Sequence, residues 1–258
     1  MILKDKVVII SGVGPGMGRK LALLAAGEGA RLVVGARAVD FLDKLVAEVK
    51  AAGGQAVAQR CDVANPDECK LLAAKAVETY GTINGLVNSA FAYNHANVED
   101  ADIEAWKKCA DVSVWGALRV AQACIPHMKK AGGGSIVHIS TMETRKYRAG
   151  EGAYSIAKAA SESAVRQMAL ELGAYNIRVN AAVMGWMWGA PVEGFVNHHA
   201  QQTGATVDQV KAGIYAAIPI GRIPPDEECA RSVLFFLSDY ASVVTGASLN
   251  VNGGEFMG

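Results

Sequence analysis

Lys6-Val7-Val8-Ile9-Ile10-Ser11-Gly12-Val13-Gly14-Pro15-Gly16-Met17-Gly18 joins a short all-apolar run to a cluster of glycines, and Arg19 to Ala26 continues it with helical spacing. An unbroken run of Val and Ile predicts a strand buried on both faces. Glycines between such a strand and a helix allow a tight turn. They also let backbone N–H groups close on a pyrophosphate at the helix N-terminus. The spacing departs from Gly-x-Gly-x-x-Gly, and the trio expected to do this work is Gly12, Gly16 and Gly18, with Gly14 and Met17 between them. A glycine cluster alone is often a plain turn; its place between strand and helix favours a dinucleotide site.

A second strand follows at Arg31-Leu32-Val33-Val34-Gly35 and ends in Ala36-Arg37. In such a unit an acid about 20 residues past the glycines takes the adenosine ribose hydroxyls, whereas an Arg accommodates a 2′-phosphate. Ala36 offers no carboxylate, and the planar guanidinium of Arg37 matches a phosphate. NADP(H) is therefore favoured over NAD(H), which stays possible. The bland alternative for Arg37 is a solvated surface cation.

Downstream the pattern alternates. An amphipathic helix is predicted over Asp40 to Ala52, a third strand over Ala56 to Arg60 leading into Cys61-Asp62-Val63, and a helix over Pro66 to Tyr80 with Asn65 or Asp67 near its cap. Gly85-Leu86-Val87-Asn88-Ser89-Ala90 reads as a fourth strand with its exit loop. Asp102 to Pro126 reads as one long helical region, and Gly132-Gly133-Gly134 closes the helical piece after it. The fifth strand spans Ser135 to Thr141, a helix runs from Tyr154 to about Ala174, and the sixth strand spans Ile177 to Ala181. Met184 to Pro219 reads as irregular and aromatic-rich, with one or two short helices. Pro224 to Leu237 is the last helix and Ala247 to Val251 the last strand. Without a repeat or a Pro/Ser-rich linker, this predicts one α/β domain over 1–258, a doubly wound parallel sheet with helices on both faces. Right-handed crossovers bring the glycine loop and the ends of strands four to six to one carboxyl edge.

Tyr154-Ser155-Ile156-Ala157-Lys158 opens a helix at that edge. A Tyr and a Lys four apart share a helix face and can converge on one point. A phenol with a pKa near ~10 is a poor acid-base group at neutral pH, and a nearby ammonium lowers it. The pair thus suits proton exchange with a carbonyl/alcohol couple. Taken alone, it is equally an exposed helix pair worth ~0.2–0.5 kcal/mol.

Composition narrows the classes. Lys+Arg and Asp+Glu stand at 25 each, so no net charge calls for nucleic acid or an anionic membrane. No apolar run approaches ~18 residues, so no membrane span is expected, and Met1 to Lys6 lack the layout of a signal peptide. Cys61, Cys69, Cys109, Cys124 and Cys229 are odd in number and scattered, which fits reduced thiols in a cytoplasmic protein. The histidines show no ligand spacing, and no metal site is expected.

Over nearly its whole length the chain resembles the short-chain dehydrogenase/reductase family. The residues that carry the resemblance are Ser11-Gly12-x3-Gly16-x-Gly18, Asp62-Val63, Asn88-Ser89-Ala90, Tyr154-x3-Lys158, Ile177-Arg178-Val179-Asn180, and Thr245-Gly246 with Val251-Asn252-Gly253-Gly254. It implies a Rossmann-like fold, hydride transfer with a nicotinamide, a small-molecule substrate and a homotetramer. Tyr154 would be the general acid/base, and Lys158 would hold the nicotinamide ribose. Asp62 and Val63 would touch adenine, with Asn88 beside the cofactor.

The departures from the family pattern are specific. The family's catalytic Ser, thirteen residues before the Tyr, falls on Thr141, with Ser140 in reserve. Its helix Asn, which supports a water-linked relay through the Lys, falls on Ser113. Phe91 replaces a Gly after the fourth strand and is expected to narrow the pocket. After the sixth strand the chain reads Met184-Gly185-Trp186-Met187-Trp188-Gly189, without the family's Thr; the backbone at Gly185 and Met187 could still meet the nicotinamide. Trp186 and Trp188 would begin a substrate lid over about 186–218. Glu143 and Arg145 are read as an exposed ion pair in preference to an entrance lining, and Tyr93 and His95 as packing. The resulting expectation is an oxidoreductase for an apolar or cyclic secondary alcohol or ketone. The alternative is a catalytically decayed dinucleotide-binding protein acting as a sensor or assembly subunit.

Overall fold

The computed structural model describes all 258 residues. The apolar run after Lys6 forms β1 (Val7–Ser11), buried throughout. Val8 and Ile10 enter one hydrophobic layer, while Val7 and Ile9 enter another on the opposite face. That is why the run has no polar alternation: successive side chains point to opposite faces, and both faces are covered. Each fully buried Val or Ile contributes roughly 1.5–3 kcal/mol.

The other strands are β2 (Arg31–Ala36), β3 (Gln55–Arg60), β4 (Gly85–Asn88), β5 (Gly134–Thr141), β6 (Ile177–Met184) and β7 (Ser248–Val251). All pair in parallel in the order β3-β2-β1-β4-β5-β6-β7. The chain reverses its winding between β1 and β4, which opens a crevice at the carboxyl edge there. One helical layer holds α1 (Met17–Gly27), α2 (Val39–Ala51) and α9 (Asp226–Leu237); the other holds α3 (Pro66–Tyr80), α5 (Ala117–Lys130) and α6 (Gly152–Leu172). The single α/β domain with a doubly wound parallel sheet is thus as expected. No helix is long and apolar enough to cross a membrane.

Several boundaries differ from the sequence expectation. Asn65, not Asp67, caps α3: its side chain accepts from the Asp67 and Glu68 N–H groups at 3.0 and 3.4 Å. The region expected to be one helix from Asp102 to Pro126 is α4 (Ile103–Ala110), a π-helical segment (Asp111–Gly116) and α5. Pro126 lies inside α5; Gln122, whose carbonyl it leaves without its usual partner, is an exposed residue. Strand β6 runs on to Met184 because β7 and β5 flank it over that length. The stretch expected to be irregular with one or two short helices contains two full ones, α7 (Ala190–Thr203) and α8 (Val207–Ala217).

Candidate active site

The carboxyl edge is shaped first by glycines. Gly12 has φ +83° and lies so close to the next loop that a Cβ on it would stand 2.2 Å from the Ala90 nitrogen, so only glycine fits. A Cβ on Gly18 would press on Val13 Cα at 3.2 Å, which explains how α1 packs so tightly on the loop. Two cavities, of about 410 and 460 Å³, share Gly12, Gly14, Pro15, Ser89 and Phe91 and so make one cleft. The larger is walled by Arg37, Asp62, Val63 and Ala90; the smaller holds Gly16, Met17, Gly18, Thr141, Tyr154, Lys158, Gly185 and Met187. Arg37 is exposed at the rim and makes no ion pair or side-chain hydrogen bond.

Strand β5 delivers Thr141 to the smaller cavity and α6 delivers Tyr154 and Lys158. Lys158 is buried, and its Nζ donates to the Ile139 carbonyl at 2.7 Å while lying 5.9 Å from the Tyr154 ring centre. Burial lowers its pKa to about 7, with Glu162 opposing the shift. Burial also raises the Tyr154 phenol above its ordinary value, against the pull of the Thr141 hydroxyl beside it; Glu143 and Glu151 add to the rise. The expected lowering of the phenol by Lys158 is therefore absent from this arrangement. The ammonium is turned to Ile139, and desolvation dominates.

Thr141 and Ser140 both border the cavity, but their hydroxyls are committed differently. Ser140 donates to Glu162 at 2.6 Å, whereas the Thr141 hydroxyl lies beside the Tyr154 phenol. Asn88 lies beneath the cleft, buried, its Nδ2 donating to the Ala117 carbonyl at 3.2 Å and its Oδ1 without a partner. Ser113 falls in the π-helical segment outside both cavities. Its Oγ accepts from the Ala92 N–H at 3.4 Å and its carbonyl from the Ser161 hydroxyl at 2.9 Å.

Phe91 narrows the cleft as expected: its ring meets Tyr154 edge-on at 5.8 Å and Tyr93 meets it at 5.9 Å. Tyr93 donates to Glu151, and His95 Nδ1 lies 3.9 Å from the same carboxylate. Trp186 walls the cavity under the Arg148 guanidinium, 4.4 Å from its ring centre, and continues into a Phe195–His199 stack on α7. Trp188 is turned away, beneath Lys211.

Glu143 and Arg145 are not an exposed pair. Arg145 binds buried Glu162 at 2.9 Å, and Glu143 is buried against Arg148 at 3.3 Å, lining the cavity. Sequence reasoning passed over Arg148 and Asp226, which also line it. Asp226 sits between the glycine loop and the start of α7: a Cβ on Gly16 would stand 3.2 Å from its Oδ2, and one on Gly189 2.3 Å. Its carboxyl pKa is raised by burial.

A family model described as enoyl-(acyl carrier protein) reductase matches residues 12–255. The chain belongs to the short-chain dehydrogenase/reductase family. It is 32% identical over 263 residues to trans-4-hydroxycyclohexanecarboxylate dehydrogenase of Sinomonas cyclohexanicum, covering 98% of this chain and 94% of that relative. It is 33% identical over 258 residues to a 2,5-dichloro-2,5-cyclohexadiene-1,4-diol dehydrogenase of Sphingobium indicum, covering 99% and 98%. A short-chain type dehydrogenase/reductase from Mycobacterium ulcerans superposes with a TM-score of 0.89 at 29% identity, over 99% of this chain and 91% of that one. As a family member the protein is an oxidoreductase of the hydroxy/keto class that uses a nicotinamide dinucleotide.

Proposed function

We propose that this dehydrogenase favours NADP(H) and interconverts an apolar, cyclic secondary alcohol and its ketone, with Tyr154 as the general acid/base. One observation carries the reading: Tyr154, Thr141 and Lys158 meet in a single cavity that continues past Gly12 into the cleft bordered by Arg37. The glycine loop fits a dinucleotide, because Gly12 lets it close against Ala90 while Gly14, whose Cβ would meet nothing within 4 Å, borders both cavities. Gly12, Gly14, Gly16, Met17 and Gly18 would hold the pyrophosphate, and Asp62, Val63 and Ala90 the adenosine. Gly185, Met187 and Ser89 would meet the nicotinamide half, with Asn88 beneath it. When bound, the nicotinamide supplies or accepts the hydride.

The residues do the rest. Thr141 donates a hydrogen bond to the reacting oxygen and fixes it beside the phenol. Tyr154, kept neutral by burial, gives its proton to that oxygen as negative charge develops on it. Lys158, with a pKa of about 7, holds a nicotinamide ribose hydroxyl and can take up or release a proton near neutral pH. Ser113 would take part in a relay only indirectly, since it lies outside both cavities with its hydroxyl engaged by Ala92 and its carbonyl by Ser161. Ile139, Met142, Met184, Trp186 and Val192 give the cavity apolar walls, and two relatives are named for six-membered-ring alcohols. Helices α7 and α8 would act as the lid over 186–218.

Turnover of a panel of cyclic ketones and alcohols with NADPH and NADH in parallel tests this. Arg37→Ala is expected to lower kcat/KM with NADPH about tenfold or more relative to NADH, the scale of a charged hydrogen bond. A ratio that does not move overturns the NADP(H) preference. Dinucleotide binding with no turnover by the wild type would favour the non-catalytic sensor reading. We also infer a homotetramer, supported by the apolar residues exposed on α6 (Ile156, Leu170) and around β7 (Val243, Leu249). Sedimentation as a monomer at working concentration would exclude it. Five unpaired, buried thiols support a reducing, cytoplasmic setting.

A further inference from the structure

Thr141 and Tyr154 account for one substrate oxygen, yet the cavity holds a second strong polar group. Glu143 is 8% exposed and follows Thr141 in a single turn of 3₁₀ helix, where its N–H donates to the Thr141 Oγ1 at 3.3 Å. Its Oε1 is paired with Arg148 Nε at 3.3 Å, and Arg148 is in turn laid over the Trp186 ring, so the carboxylate has a defined orientation. Its Oε2 is buried and has no hydrogen-bond partner. Burial raises the carboxyl pKa while Arg148 lowers it. A buried carboxylate oxygen without a donor is costly in a folded protein unless something supplies one.

The chemistry of that donor follows from the surroundings. Beside Glu143 the cavity is lined by Met142, Met184, Trp186 and Arg148. Arg148 is engaged with Oε1 and the Trp186 ring, and neither it nor the indole N–H reaches Oε2. The Thr141 and Tyr154 hydroxyls would serve the reacting oxygen. Asp226, the other carboxylate on the wall, lies against Gly16 and Gly189 on the dinucleotide side. An anionic substituent would meet repulsion at Oε2. A neutral hydroxyl would give it the missing hydrogen bond, of the stronger, charge-assisted kind.

We propose that Glu143 accepts a hydrogen bond from a second hydroxyl of the substrate, so that the preferred substrates are cyclic diols and their hydroxyketones. This rests on the cyclic-alcohol reading above and adds the residue that selects among such alcohols. Glu143 touches the substrate away from the reacting atoms and sets specificity through binding.

The experiment compares cis and trans 1,2-, 1,3- and 1,4-cyclohexanediols with cyclohexanol in the dinucleotide-saturated protein. Both kcat/KM and calorimetric affinity are measured for the wild type, Glu143→Ala and Glu143→Gln. At least one diol is expected to exceed cyclohexanol by about tenfold, and Glu143→Ala should lower that ratio about tenfold or more. Glu143→Gln keeps the shape and an uncharged acceptor, and should lower the ratio less; it carries the comparison if the Ala variant does not fold. A wild type without diol preference, a ratio unmoved by both variants, or a clear preference for 4-hydroxycyclohexanecarboxylate over every diol overturns the proposal. If the wild type turns over none of these alcohols, the cyclic-alcohol reading fails. The affinity ratio then decides on Glu143, and the absence of any diol binding counts against it.

Discussion

Strand β5 and helix α6 share two buried polar clusters that have been treated very differently. In one, Glu162 receives Ser140 at 2.6 Å, Thr144 at 2.9 Å and Arg145 at 2.9 Å, and Arg145 reaches on to Asn250 of β7 at 2.9 Å. No Glu162 oxygen is left without a partner. In the other, Tyr154, Lys158 and Glu143 line a cavity, carry shifted pKa values, and leave Glu143 Oε2 unpaired. Adjacent residues on one strand thus divide between closing the structure and opening a site. A satisfied buried network stiffens the fold. An unsatisfied one, facing a cavity, marks where an incoming molecule completes the hydrogen bonding.

The largest expected effect lies in the open cluster. Tyr154→Phe should lower kcat about a hundredfold or more while leaving unfolding and dinucleotide affinity unchanged, because it removes only the phenolic hydroxyl and keeps the ring. A loss of only a few fold would remove Tyr154 from the acid/base role. In the closed cluster, Glu162→Ala should destabilise by about 3 kcal/mol, near the low end for a broken buried pair since Arg145 is 23% exposed. The urea midpoint at constant slope measures this. Ser140→Ala should cost about 1.5 kcal/mol, the scale of a hydrogen bond to a charged group, and leave kcat within a few fold. A large fall in kcat with unchanged stability would exchange the roles assigned to Ser140 and Thr141.

The finest distinction is in pH dependence. Burial takes Lys158 from its ordinary range down to about 7 in the folded protein. Between that value and ~10.4 the unfolded chain binds the extra proton, so stability from this group rises with pH across that window and is level below it. The slope is up to ~1.4 kcal/mol per pH unit. The difference in stability between the wild type and Lys158→Met, followed from pH 6 to 10, should show it. A flat difference would mean the ammonium stays charged throughout.

Some of this is legible in the sequence alone, and the reasons are local. The glycines after β1, the Tyr-Lys spacing on α6 and the cap at Asn65 follow from short-range geometry. The full length of the helices of 190–217 is less legible, although Thr206 and Gln209 form a capping box visible as Thr-x-x-Gln, and Pro191 occupies the first turn of α7. Glycines and aromatics in that stretch hid the helical period. Sequence proximity favours a Glu143–Arg145 pair, but Arg145 instead reaches Glu162 seventeen residues on.

By itself the sequence determined the alternation of strands and helices, the turn that only glycine can make at Gly12, and the helix face shared by Tyr154 and Lys158. Each depends on residues within a few positions of one another. Only the tertiary structure decided that Ser140 is spent on Glu162 while Thr141 faces the cavity. It also turned the Lys158 ammonium to Ile139 and buried Glu143 between Arg148 and the site. These outcomes depend on which distant segments supply donors, and on how much water their packing removes. That desolvation sets the charge and hydrogen bonding of a side chain, and it exists only once the layers have closed.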